Sequence, residues 1–192
     1  MTDQREIVLP SSIRIAGDGI HLREWTESDL PALVELYDDP EIDRWTPVPS
    51  PFDSTAAREY LAKAREGRGE GRDKAQLAIT TDGEQPRGEV LVFRCRIDPR
   101  DVELAYGVGS RHRRLGLASR SVKLLADYAC RRLGARRVLL RIETENAPST
   151  AVARATGFRL TEDEPITREA KGRQVTLLTW CYEDGEASSL PV

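Results

Sequence analysis

The stretch that decides the fold is residues 102–118, with the sequence VELAYGVGSRHRRLGLA. Val102–Val108 is predicted as a strand, and residues 115–133 keep one apolar helical face behind it. Gly116 and Ala118 fall in the first turn of that helix. The first N–H groups of a helix lack partners and lie at its positive end, so small side chains there let an anion approach closely. The sequence therefore predicts an anion cradle between a strand and a helix.

Working outward from this unit, the sequence alternates further strands with helices. Before it, strands are predicted over 20–25, 76–80 and 88–97, and helices over 27–38 and from Asp53 or Ser54 to residue 64. After it, a buried-type strand is predicted over 137–142, a short helix over 148–156 and a last strand over 173–182. The strand–helix–strand unit over 102–142 needs a crossover, which is right-handed and usually parallel.

Length and spacing indicate one domain over residues 1–192, because domains commonly span roughly 100–200 residues. The predicted fold class is α/β (α+β), with a mixed central sheet flanked by about four helices. Residues 1–18 are expected to form a loosely attached, flexible lead-in, and residues 183–192 a flexible polar tail.

Composition excludes several classes of protein. No apolar run approaches the 18 or so residues that a bilayer requires, so we expect no membrane association. Three cysteines without CxxC spacing and only two histidines argue against a zinc site and favour a reducing cytoplasm. The net charge of −3 argues against a nucleic-acid partner. Residues 111–141 nevertheless hold ten basic residues against one acid, Asp127, which suggests either a local anionic ligand or a solvated helix face.

Two motifs in this order carry a resemblance to a known family. Arg113-Arg114-Leu115-Gly116-Leu117-Ala118 resembles the R/Q-x-x-G-x-G/A motif of the GNAT superfamily of acyl-CoA N-acyltransferases. Downstream, Asn146, Ser149 and Gly157-Phe158 resemble the N-x-x-S…GF segment of that family. The resemblance covers roughly residues 18–182. It looks closest to the branch of ribosomal-protein N-terminal alanine acetyltransferases, and it implies a sheet whose parallel strands splay apart.

The resemblance implies acetyl-CoA as the acyl donor and assigns residues to it. Val108 would pair with the pantetheine amides as an added strand does, and Asn146 would hydrogen-bond the pantetheine, with Ser149 beside it. Asn146 could equally serve only as a helix N-cap, and Arg113 and Arg114 could belong to a solvated turn. The charges of the two arginines would help to hold the diphosphate. The backbone N–H groups that would bind it belong to Arg113, Arg114, Leu115, Gly116, Leu117 and Ala118.

The expected reaction moves an acetyl group to a primary amine, such as a protein N-terminus or a small-molecule amine, by direct attack in a ternary complex. Glu103 is the candidate base, although it could be an ordinary strand carboxylate. The residue that many members use to protonate the thiolate is a Tyr, and Ala153 stands in its place. Ser149 is the alternative acid and Tyr106 a reserve. No residue is expected to bind a metal.

The acceptor side is defined only by the proline-containing loop 45–52, in which Trp45 and Phe52 are expected to form an apolar wall. Two other functions stay open at this point. Ala153 would suit a catalytically weak CoA-binding or scaffold domain, and the basic stretch would suit a binder of RNA. Dimers are common in the family, so a homodimer is an expected assembly.

Overall fold

A computed structural model of the chain describes residues 6–69 and 71–183. The flexible ends expected at residues 1–5 and 184–192 lie outside these ranges. The described residues form five α-helices and nine strands. The helices are α1 (Leu30–Tyr37), α2 (Pro40–Trp45), α3 (Ser54–Glu66), α4 (Leu117–Tyr128) and α5 (Ala147–Ala155). The strands are β1 (Arg14–Gly17), β2 (Ile20–Glu24), β3 (Lys74–Thr80), β4 (Gly88–Arg94), β5 (Val102–Val108), β6 (Val138–Glu143), β7 (Arg159–Leu160), β8 (Ile166–Ala170) and β9 (Arg173–Tyr182).

All nine strands belong to one sheet, in the order β1-β2-β3-β4-β5-β6-β9-β7, with β8 also paired to β9. Neighbouring strands are antiparallel except β5 and β6, which run parallel after the α4 crossover, as the sequence predicts. This parallel pair has only three rungs, the last of which joins Leu104 to Leu140. Beyond that rung the two strands separate, so the family's splayed parallel pair is confirmed.

Alternation along β5 divides the sheet into two faces. Val102, Leu104 and Val108 are buried in the main core against α4, and we call this side the α4 face. Glu103 and Gly107 point to the opposite side, which we call the helical-layer face because α1, α2 and α3 cover part of it. A second core there joins α1 and α3 to the sheet through Trp25, Leu33, Leu36, Phe52, Leu61 and Ala78.

The expectation of a loosely attached lead-in is wrong for residues 6–18. Ile7, Leu9 and Ile13 are at most 2% exposed and belong to the main core. Residues 14–17 form β1, which pairs with β2. Residues 6–18 contain too few apolar side chains to show a helical or a strand period, so the sequence offers no signal for this packing.

Other differences from the sequence prediction are local. Pro40 ends the first predicted helix but also starts α2, because Pro is well suited to the first helical turn and Asp39 caps it. Strands β7 and β8 escape prediction because they are short and exposed. The long helix begins at Leu117 and continues through a π-helical turn to Leu133, where Gly134 ends it with φ of 74°. In the ranges that the structure covers, no helix is long and apolar enough to cross a bilayer.

Candidate functional site

The predicted anion cradle lies where β5 ends and α4 begins. Gly116 is the N-cap of α4, adopts φ of 69°, and offers no side chain to cap the helix. Arg114 also has a positive φ, 61°, which is uncommon for a residue with a Cβ. The first main-chain bond of α4 runs from the Arg120 N–H to the Gly116 carbonyl, so the N–H groups of Leu117, Ala118 and Ser119 have no partner within the helix. The first turn of α4 therefore presents a row of unpaired donors at its positive end.

The two arginines of the motif are placed very differently. The Arg113 guanidinium donates to the Val108 carbonyl at 3.2 Å and to Asp39 Oδ1 at 2.8 Å, and it also pairs with Glu41. Its charge is therefore neutralised by two carboxylates at the start of α2. Arg114 is exposed and makes no ion pair with any described residue, so of the two it is Arg114 that offers an unneutralised charge.

The ten basic residues between 111 and 141 do not form a continuous basic surface. Most of them contact carboxylates, many contributed by other parts of the chain. The pairs are Arg111 with Glu35 at 3.3 Å, Lys123 with Asp127 at 2.6 Å, Arg136 and Arg137 with buried Asp101 at 2.9 and 2.8 Å, and Arg141 with Glu103 at 3.5 Å. The local charge that suggested an RNA partner is thus largely used inside the fold.

Glu103 lies at the point where β5 and β6 begin to separate. It occupies the middle rung of the parallel pair, opposite Leu139, and its side chain is 26% exposed on the helical-layer face. Its Oε2 is 3.5 Å from the Nε of Arg141, the first residue of β6 beyond the last rung. Glu103 is therefore accessible at the base of the gap and has a cation beside it.

Tyr106 lies on the opposite face of β5, beside the N-terminal turn of α5. Its hydroxyl is buried and has no hydrogen-bond partner among the described residues. Burial raises the pKa of Tyr106 to about 12, an effect that the nearby hydroxyl of Ser149 partly offsets. Asn146 accepts the Ser149 N–H at 3.1 Å, so its carbonyl caps α5. Three polar groups expected near the donor are thus brought together.

The two predicted acceptor residues are not equivalent. Phe52 is 2% exposed and packs in the second core, with its ring 5.0 Å from that of Tyr37. Trp45 ends α2, is half-buried, and has the Arg44 guanidinium 4.5 Å above its ring. Only Trp45 leaves surface for a ligand to contact. Ala153 is fully buried in the main core, one helical turn beyond Ser149.

Sequence reasoning missed Arg141 and Glu89 as candidates. Both are charged residues in apolar strand segments, and that is the signal that could have found them. Glu89 is fully buried on β4 opposite Gly107, and it accepts hydrogen bonds from Trp25, Tyr37 and Tyr60. Burial raises the pKa of Glu89 to about 7, although these hydrogen bonds oppose the rise.

Comparison with known proteins agrees with this arrangement. A curated relative from Bacillus licheniformis, named "Uncharacterized N-acetyltransferase p20", is 25% identical over 157 residues, covering 80% of this chain and 86% of its own. A putative ribosomal-protein-serine acetyltransferase from Vibrio cholerae superposes with a TM-score of 0.78 at 17% identity, covering 92% of this chain and all of that one. RimJ from Mycobacterium smegmatis in complex with CoA-disulfide superposes at 0.75 with 20% identity, covering 93% and 89%.

The model of the acetyltransferase (GNAT) domain matches residues 20–159, which include the cradle, Glu103 and α5. With the splayed strands and the uncapped α4 in the order that this domain requires, the chain belongs to the GNAT family and is an N-acetyltransferase.

Proposed function

We propose that this enzyme takes an acetyl group from acetyl-CoA and transfers it to a primary amine by direct attack in a ternary complex. The observation that carries the proposal is the gap between β5 and β6, which opens beside the unpaired N–H groups of α4. A gap in a sheet accepts an extended, amide-bearing chain, and a helix N-terminus accepts a diphosphate. Acetyl-CoA has both parts in one molecule.

The residues present fit such a donor. The N–H groups from Arg113 to Ala118 bind the diphosphate, with Arg114 adding a full charge. The edge of β5 that ends at Val108 has no strand on its β6 side and pairs with the pantetheine amides. Asn146 uses its carbonyl as the cap of α5, and its amide N–H groups are left to donate to the pantetheine. Arg113 acts through the backbone, since its side chain is held by Asp39 and Glu41.

For the chemistry, the acceptor ammonium must lose two protons, one to the base before attack and one that ends on the sulfur, and the thiolate must leave. Glu103 accepts a proton from the acceptor ammonium, and a backbone N–H at the end of β5 donates to the thioester oxygen. The hydroxyls of Tyr106 and Ser149 donate to the departing sulfur. The amine nitrogen forms a bond to the acetyl carbon as the carbon–sulfur bond breaks, and the sulfur keeps that electron pair. Trp45 lines the approach of the acceptor.

A thermal-shift experiment with acetyl-CoA, CoA and dephospho-CoA tests the donor. Ligand at about 100 times its Kd stabilises by roughly 2.7 kcal/mol, or about 5–10 °C for a domain of this size. The variant Gly116→Ala should lose most of this shift, because a residue with a Cβ is strained at a φ of 69° and the added methyl group stands beside the donors. Gly134→Ala is the matched control: it has a similar φ, 74°, but lies at the far end of the α4 segment and should keep the shift.

No shift with any CoA species would overturn the proposed donor. A shift without acetylation of any amine would favour a CoA-binding domain, which is the function that Ala153 left open.

We also propose a cytoplasmic location, which fits three cysteines that form no disulfide. A homodimer stays a prediction.

A further inference from the structure

The position of Arg141 is unusual for a charged residue. It follows the last rung between β5 and β6 and points to the helical-layer face, where the gap begins. Its side chain is only 7% exposed, and one guanidinium N–H group donates to the hydroxyl of Thr179 on β9. Arg141 is thus a buried cation held at the base of the gap.

Arg141 is incompletely satisfied by the protein. Its Nε is buried and has no hydrogen-bond partner among the described residues, and the 3.5 Å contact with Glu103 is an ion pair without a hydrogen bond. Arg72, whose side chain is 2% exposed, has an Nε in the same condition, although its Nη2 donates to Glu24 at 2.7 Å. What distinguishes Arg141 is its place at the base of the gap, beside Glu103. A buried donor without an acceptor is costly, so an orphan N–H facing a reaction site indicates an oxygen that arrives with a ligand.

Glu103 and Arg141 offer opposite chemistry side by side. The carboxylate accepts from an ammonium, whereas the guanidinium donates to an oxygen and cannot accept. Because the two charges cancel, the pair does not attract a bare cation as strongly as an isolated carboxylate would. It matches an acceptor that carries an ammonium and, on the adjacent carbon, a carbonyl or carboxylate oxygen.

We propose that Arg141 is a specificity residue that binds this oxygen while Glu103 receives the ammonium proton. The inference rests on the proposed function and narrows its acceptors to α-amino carbonyl compounds, meaning free α-amino acids or peptide amino termini. Polyamines, lysine side chains and aminosugars lack that adjacent oxygen. In the reaction, one ammonium proton passes to Glu103 and then to solvent. A second proton ends on the sulfur, the C–N bond forms, and the C–S bond breaks.

The test compares amines that differ only at the proposed contact. L-Alaninamide and isopropylamine share a branched carbon that bears the amine, and the first has a carboxamide where the second has a methyl group. The kcat/KM ratio of the two, corrected for the fraction of neutral amine, should exceed about 10 in the wild type. L-Alanine and an alanyl tripeptide complete the panel, and whichever is preferred distinguishes a free amino acid from a peptide terminus.

The variant Arg141→Lys keeps the charge and removes the planar fork. It should lower the alaninamide-to-isopropylamine ratio by about 10- to 100-fold, because a hydrogen bond from a charged donor is lost. The intrinsic reactivities of the amines cancel when the two enzymes are compared. Arg72→Lys, at an equally buried Arg–Glu pair on the β2–β3 side of the sheet, is the matched control and should leave the ratio unchanged.

The outcomes separate the two proposals. Turnover of both amines with a corrected wild-type ratio near 1, or a ratio that Arg141→Lys does not change, would overturn the role of Arg141 and leave the acetyltransferase proposal intact. If Arg141→Lys fails to fold, as circular dichroism would show, the wild-type ratio still decides. Acetyl-CoA binding without acetylation of any panel member would overturn the role of Arg141, and the same result with polyamine, lysine and aminosugar acceptors added would overturn the proposed function itself.

Discussion

The methyl group of Ala153 leaves no hydroxyl where many relatives are expected to have one, and Tyr106 and Ser149 are the hydroxyls proposed to serve instead. A phenol with a pKa of about 12 holds its proton too strongly to give it up fully to a thiolate. With a reference thiol pKa near 8.5, full transfer would cost about 5 kcal/mol. In the proposed mechanism, Tyr106 would therefore donate a hydrogen bond to the sulfur and keep its proton.

Tyr106→Phe should accordingly have opposite effects on activity and stability. Removing an unpaired buried hydroxyl should leave the free energy of unfolding unchanged or raise it by up to about 1 kcal/mol. Loss of the donor should lower kcat by about 10- to 100-fold with little change in the Kd for acetyl-CoA. Single-turnover kinetics and urea unfolding measure the two effects. A stability loss that parallels the activity loss would make Tyr106 a packing residue.

Three segments of the helical layer meet at the carboxylate of Glu89. Trp25 precedes α1, Tyr37 ends α1 and Tyr60 lies on α3, and each donates to this one side chain. Two residues after α1 ends, Asp39 caps α2 and forms an ion pair with Arg113. A single buried acid on β4 thus fixes the layer that in turn supports the loop before α4.

The stability of this arrangement should depend on pH. The folded pKa of Glu89 is about 7 against an ordinary value of 4.5, so the folded state binds a proton that the unfolded state releases between these values. The contribution of Glu89 to stability is therefore largest near pH 4.5 and falls by up to about 3 kcal/mol as pH rises to 7.

Urea unfolding between pH 4.5 and 8 checks this, using the difference between wild type and Glu89→Gln to cancel other groups. That difference should change by up to about 3 kcal/mol across the range. The control is Glu66→Gln, an exposed residue at the end of α3 whose difference from wild type should stay nearly flat. A flat profile for Glu89→Gln as well would mean that the acid is ionised throughout.

Most of the site could be predicted from the sequence because its parts are local. The strand, the αL glycine and the helix start all lie within residues 102–118, and the N-cap role of Asn146 is set by the three residues after it. The pairing of Arg141 with Glu103 and of Arg113 with Asp39 joins residues far apart in the chain. No local pattern encodes such pairs, so the sequence assigned Arg113 to the ligand when its side chain is already bound.

Residues before β1 belong to the main core of the whole domain, and the sequence pattern did not indicate this. Leu9→Ala should therefore lower the free energy of unfolding by about 2–5 kcal/mol, since Leu9 is fully buried. Val8→Ala, one residue earlier and 61% exposed, should change it by less than about 0.5 kcal/mol. Urea unfolding measures both. Equal effects of the two substitutions would show that the lead-in is detached in solution.

The three-rung contact between β5 and β6 also has a mechanical consequence. Strands β1 to β5 form one antiparallel block and β6 to β9 form a second. The main-chain bonds between the blocks lie at those rungs and just before them, where Arg136 donates to the Arg100 carbonyl. The sheet therefore has its fewest backbone hydrogen bonds next to the place where the donor is proposed to lie. If the donor binds as proposed, its amides would extend the pairing between β5 and β6, and amide hydrogen exchange in these two strands should slow when acetyl-CoA is added.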